Sequence, residues 1–288
     1  MNTELKFIDT HFHLWDLNHL HYGWLTDEIA EGHVIGDYSA ICKNYLIEDY
    51  IRDTAGSGLV KAVHVQAAVG HPNPVDETCW LQSIIDKSPI PNAIIGSADL
   101  CDRNCAEVLD RHLDCDAFRG VRMFAEPGLF QCKEFADGFS LLEKKGLIFD
   151  MDVGYLQMEE ACQLAKQFPN VQIILGHAGF PQERTPAYFE AWKKGISRLA
   201  EAENIACKIS GLGMADHNWT VESIRPWVMH CIEAFGIDRC MFGSNWPVDS
   251  MFSDYKKLIA AYSSIIRDFQ ANERVKLFSQ NAEKFYRI

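Results

Sequence analysis

Two histidines one residue apart, His11 and His13, stand where an apolar run beginning at Phe7 turns polar. Alternate side chains of an extended strand share a face, so both imidazoles project from one side while Phe12 points away. Two imidazoles placed in this way can share a metal ion, bind an oxyanion or hold one substrate group between them. A His-x-His pair can equally end a strand and do no more than hydrogen-bond to loops. Chemistry is favoured because other apolar runs end in the same way. His64 and Gln66 lie in the run 60–67, Asp99 in 93–100, and Arg119 and Arg122 in 118–124. Asp150 and Asp152 fall in 147–153, His177 ends 171–177, and Lys208 and Ser210 fall in 205–211. Asn245 lies in the last run, 240–247, with Asp249 just beyond it.

These ends converge only if the runs form one parallel sheet. Together with the opening stretch there are eight, near-continuously apolar, each followed by room for a helix. That pattern predicts a closed (β/α)8 TIM barrel in a single domain over 1–288, with chemistry at the C-terminal ends of its strands. An open doubly wound sheet would carry a glycine-rich phosphate turn after its first strand, where this chain has His-x-His. Helical spacing supports the connections: Trp80, Leu81, Ile84 and Ile85 share one face within 76–85, and a second helix covers 158–165. A last helix running through Phe278 and Tyr286 is expected on the barrel exterior. The segment 17–45 is long for a strand-to-helix connection and reads as an insertion that could act as a lid or pocket wall. Its Tyr22 and Trp24, with Trp246 from the eighth run, are candidate flat walls for a substrate.

The chain has 288 residues, 48% of them hydrophobic, enough for one large core. A formal net charge of -13 argues against nucleic acid or an anionic membrane as partner. No apolar run approaches the roughly 20 residues that span a bilayer. The opening residues lack the basic-then-apolar pattern of a signal peptide. Ten cysteines are scattered without a Cys-x-x-Cys pair, which points to reduced thiols and a cytoplasmic location. A small-molecule substrate is the expected partner, and a homo-oligomer is left open.

Several stretches, taken in order, resemble one family. They are Ile8-Asp9-Thr10-His11-Phe12-His13-Leu14-Trp15-Asp16, Tyr22-Gly23-Trp24-Leu25, Val65-Gln66-Ala67, Arg119-Gly120-Val121-Arg122, Gly176-His177-Ala178-Gly179-Phe180-Pro181, Lys208-Ile209-Ser210-Gly211-Leu212 and Met241-Phe242-Gly243-Ser244-Asn245-Trp246-Pro247. The chain resembles the amidohydrolase superfamily, in particular the branch containing sugar-lactone hydrolases and 2-pyrone-4,6-dicarboxylate lactonase. The resemblance implies a deformed barrel and hydrolysis at a carbonyl carbon, with His11, His13 and His177 on the family's first-strand and sixth-strand histidines. The eighth-strand position usually carries an aspartate that handles the proton of the attacking water, and here it is Asn245. Asparagine cannot accept that proton at neutral pH, although it can orient a water. Asp249 is the candidate to take over as base, unless it is only a loop or capping residue.

Metal-dependent members add a lysine or carboxylate after the fourth strand and a histidine after the fifth. This chain offers Arg122, Met123 and Phe124, then Asp150 and Asp152. No required metal is the first expectation, and zinc or manganese on His11 and His13 the alternative. Arg119 and Arg122 are three apart, so only one can point inward. An inward arginine suits an acidic or polyhydroxylated substrate, with Gln66 beside it, while His64 is deeper and reads as a core histidine. The function expected is therefore opening of a small lactone, a sugar-acid lactone or related cyclic ester. The alternatives are a metal-dependent amidohydrolase or decarboxylase of a small carboxylic acid, and a barrel that binds a ligand without catalysis.

Overall fold

Short runs rich in Ile and Val build eight parallel strands in a computed structural model that describes residues 5–27, 32–67 and 72–288. They are β1 (Phe7–Phe12), β2 (Leu59–Val65), β3 (Ala93–Ser97), β4 (Phe118–Phe124), β5 (Ile148–Asp152), β6 (Ile173–Leu175), β7 (Ile205–Ile209) and β8 (Cys240–Phe242). Each strand pairs with the next in chain order, which is the ring expected of a (β/α)8 barrel. The β8–β1 seam is made beyond the end of β8. There Asn245 N donates to His11 O at 2.7 Å and His13 N donates to Trp246 O at 2.7 Å. Helices Val75–Ile85 and Met158–Gln167 form where the spacing requires them.

β6 and β8 are much shorter than the runs 171–177 and 240–247 imply. After Leu175 the chain turns through His177 (φ 48°) and Ala178 (φ 53°), and after Phe242 it reaches Asn245 at φ 58°. Left-handed backbone ends an extended strand, and no glycine at these positions announces the change.

β1 contains a bulge. Asp9 is opposite Ala62 but Phe12 is opposite His64, so three steps on β1 match two on β2. Such an insertion inverts the inside–outside alternation. Ile8 fills the barrel, and Asp9 faces outward to Tyr50 and Tyr255. Past the bulge His11 faces inward, while Phe12 stacks on Tyr50 outside.

The interior is filled by Ile8, Val63, Ile95, Ile148, Ile174, Ala206 and Met241 and is closed at its base by Ala282, Phe285 and Tyr286. The expectation of a purely exterior last helix is thus corrected. Residues 271–286 are helical, with a wide π turn at Lys276–Gln280. Phe278 packs outside on Phe7 and Phe242, whereas the final turn plugs the barrel.

Asp9 fastens this seam. Its fully buried carboxylate accepts from His11 N (3.2 Å), Ser244 N (2.8 Å), Ser244 Oγ (2.5 Å), Tyr50 OH (2.8 Å) and Tyr255 OH (3.0 Å). Burial raises its pKa above the ordinary carboxylate value, against the pull of these donors. Asp9→Ala orphans several buried donors at once, so a loss of about 3 kcal/mol or more is expected, against about 1 kcal/mol for Tyr50→Phe. Thermal melts of the two variants check this, and equal melting temperatures would remove Asp9 from its anchoring role.

Candidate active site

A cavity of about 470 Å³ opens at the C-terminal ends of the strands, where His13, Arg122, Asp152, His177 and Asn245 meet Trp24 from the long loop. His11 lies beneath it, its Nε2 3.2 Å from His13 Nε2 and its ring 4.3 Å from that of His177.

The protons on this pair follow from one carbonyl. His13 Nδ1 lies 2.7 Å from Val65 O, which can only accept, so the His13 ring proton is on Nδ1. His13 Nε2 is then a lone pair, which accepts from His11 Nε2–H. His11 Nδ1 is left to accept from Lys208 Nζ at 3.3 Å. Lys208 is fully buried and paired with Asp150, whose Oδ2 also receives Tyr286 OH at 3.4 Å. Burial draws the Lys208 ammonium below its ordinary pKa, and Asp150 opposes that shift.

All three site histidines are held neutral. Burial, followed by the charges of His177 and Lys208, keeps His11 well below the ordinary imidazole value. Burial and then Arg122 do the same to His13, and burial with Arg122 and Lys208 lowers His177 to about 3. His177 sits on its left-handed turn with Nδ1 3.0 Å from Ser210 Oγ. Gly211, itself at φ 64°, leaves the necessary room, because a Cβ there would lie 2.6 Å from His177 Nδ1.

Arg122 is the inward arginine of its pair. Nη1 donates to Asp152 Oδ2 at 3.2 Å and Nη2 to Gln66 O at 2.5 Å, and the guanidinium lies 4.9 Å from the centre of the Phe124 ring. Asp249 is buried one layer behind Asn245, whose Nδ2 donates to Asp249 Oδ1 at 3.0 Å. Burial raises Asp249 to about 7, with the Asn245 bond opposing.

Other expected site residues lie elsewhere. Arg119 points outward, where Nε donates to Tyr286 O and Nη1 to Asp116 O, because alternation separates it from Arg122. Tyr22 is fully buried in the core rather than on the cavity wall. Trp246 is buried with its Nε1 on Asp53 Oδ2 at 3.0 Å. Gln66 contributes its backbone carbonyl to Arg122, and its side chain stays off the cavity. His64 is the core histidine, accepting from Leu14 N at 2.9 Å, and Asp99 is exposed. Sequence reasoning missed Phe180, Met214, Ile35 and Val248 in the wall, since apolar residues in turns carry no periodic signal.

A parallel eight-stranded barrel with polar strand ends gathered in one mouth defines a (β/α)8 protein with a single functional face. The chain belongs to the amidohydrolase family, whose model matches residues 8–288. An uncharacterized protein, y4mH, from Sinorhizobium fredii is 45% identical over 99% of this chain and 100% of its own. A protein named L-fucono-1,5-lactonase from Burkholderia ambifaria is 25% identical over 98% and 95%. Among solved structures, an amidohydrolase from Burkholderia multivorans with bound zinc superposes with a TM-score of 0.84. It is 23% identical over 98% of this chain and 99% of its own.

The residues present suit a metal only in part. Two Nε2 atoms 3.2 Å apart could both face one ion, but His11 Nε2 carries its proton toward His13. A catalytic zinc takes three protein ligands. Among the described residues no group of three His, Cys, Asp or Glu side chains is placed to hold one. The set therefore falls short, and no step below runs through a metal. No described helix is long and apolar enough to cross a membrane.

Gly211→Ala should push His177 off Ser210 and lower kcat/KM at least about tenfold with the fold intact, since a displacement of about 1 Å costs that much or more. Steady-state kinetics and circular dichroism check it, and an unchanged rate would mean that His177 tolerates the shift.

Proposed function

We propose that this protein is a hydrolase that opens a small lactone by attack of water at the carbonyl carbon. The observation that carries the reading is a neutral, rigidly held His177 at the cavity wall, facing Arg122, with a carboxyl of pKa about 7 behind Asn245. The relatives named as lactonases support it at family level.

His177 Nδ1 shares a hydrogen bond with Ser210 Oγ at 3.0 Å; in the tautomer in which Ser210 donates, the opposite nitrogen carries the ring proton and donates to the substrate carbonyl oxygen. Negative charge gathers on that oxygen as the water adds, and Arg122 at the cavity wall, with Lys208 behind His11, lowers its energy. Asn245 holds the water at its carboxamide oxygen. Asp249 lies behind Asn245 and off the cavity wall, so it takes the proton across one bridging water as the new C–O bond forms, and the same relay returns it to the ring oxygen when the old C–O bond breaks and a hydroxy acid leaves. An imidazole with a pKa of about 3 stays neutral throughout and serves as an electrophile rather than a base.

The pH dependence follows from Asp249. Its base form exists above pH of about 7, so log kcat/KM should rise by about one per pH unit below that point and level off above it. Asp249→Asn should lower kcat by about 10²–10⁴ and abolish the inflection. A nearly unchanged rate would return the base role to the histidine pair. The assay is hydrolysis of L-fucono-, L-rhamnono- and simple alkyl lactones, followed by acid release. Chelation should leave the rate within about twofold, as no metal step is invoked. Activity lost on chelation and restored by zinc would make His11 and His13 ligands. No turnover on any lactone would favour a barrel that binds without catalysis.

A further inference from the structure

The cavity carries more information about its ligand than the reaction alone requires. Several polar side chains between its rim and the reacting groups are already engaged by the protein, while Arg122 Nε, Asp152 Oδ1 and Gln66 Oε1 are buried without a partner. Arg122 is engaged by Asp152 and Gln66 O, and Asp152 Oδ1 is pressed against Gly176, where a Cβ would lie 2.2 Å away. Gln157 donates to Ala125 O at 2.6 Å and accepts from Gly154 N at 3.3 Å. Trp24 Nε1 donates to Ala67 O at 3.1 Å, and His33 Nδ1 accepts from Ile35 N at 3.3 Å. Among the described cavity-lining residues, the Gln182 amide at the exposed rim, the Asn245 carboxamide oxygen and further N–H groups of Arg122 remain to meet a ligand.

The surfaces between these groups are apolar: Trp24, Ile35, Phe124, Phe180, Met214 and Val248. The same character continues outward. Val34 and Phe124 line the cavity yet are 39% and 49% exposed. Large apolar side chains left in water around one opening mark a ligand that covers them.

We infer that the substrate is a lactone carrying an apolar alkyl or aryl substituent, which leaves the reacting carbonyl along the wall of Ile35, Phe124 and Val34. The inference rests on the hydrolase reading above and narrows it. A polyhydroxylated ring carries more hydroxyls than these few groups can pair, and each one stripped of water without a partner costs about ten- to a hundredfold in affinity. An alkyl arm gains about fourfold for each methylene it buries.

The test uses the purified full chain and two series, γ-lactones with substituents from methyl to about hexyl and the sugar-acid lactones. Expected is a kcat/KM that climbs about fourfold per methylene until the wall ends. The sugar-acid lactones should lie at least about a hundredfold below the best alkyl member. Val34→Asp should flatten the climb. A flat response to chain length, or a sugar-acid lactone as best substrate, overturns the inference. If neither series is turned over, the hydrolase reading fails by itself. The same compounds, titrated as ligands against tryptophan fluorescence, then decide the ligand class. Affinity that rises with chain length sustains the apolar ligand, and affinity for the polyhydroxylated series alone overturns it.

Discussion

The structure depends on a single buried carboxylate. Asp9 draws donors from β1, from the turn after β8 and from two tyrosines on outer helices, so the first and last strands share one acceptor. A short β8 could not close a barrel by ladder bonds alone. The carboxylate fixes Ser244, and with it the next two residues, whose backbone groups bond to His11 and His13. Closure of the fold and placement of the paired histidines are therefore one arrangement.

That arrangement also leaves the imidazoles uncharged beside two cations. Arg122 and Lys208 are each matched by one buried aspartate, and together with burial they keep the imidazoles from taking a second proton. Val65 O then gives His13, and through it His11, a defined donor side and a defined acceptor side. Such a site is set before substrate arrives and does not reorganise as charge develops.

Strand number and order were legible because parallel strands buried on both faces are written as unbroken apolar runs. The separation of Arg119 from Arg122 was legible too, since β4 keeps regular alternation. The shared face of His11 and His13 could be read, but not that it is the inner face, because the bulge after Asp9 has no signature in residue type. The ends of β6 and β8 were overrun because His177, Ala178 and Asn245 adopt left-handed backbone without glycine. Tyr22 and Trp246 were taken for walls because an aromatic side chain in a loop reads alike whether it faces a cavity or the core. Asp249 could be named from its position, but the contact that raises its interest, with Asn245, is a property of the turn.

The Asn245–Asp249 contact also constrains which residue position 245 can hold. Placing a carboxylate at 245 while one stands at 249 would set two anions about 3 Å apart in a buried turn, and one would have to stay protonated. An acid at 245 and an acid at 249 are therefore strongly coupled: the effect of adding or removing one depends on whether the other is present.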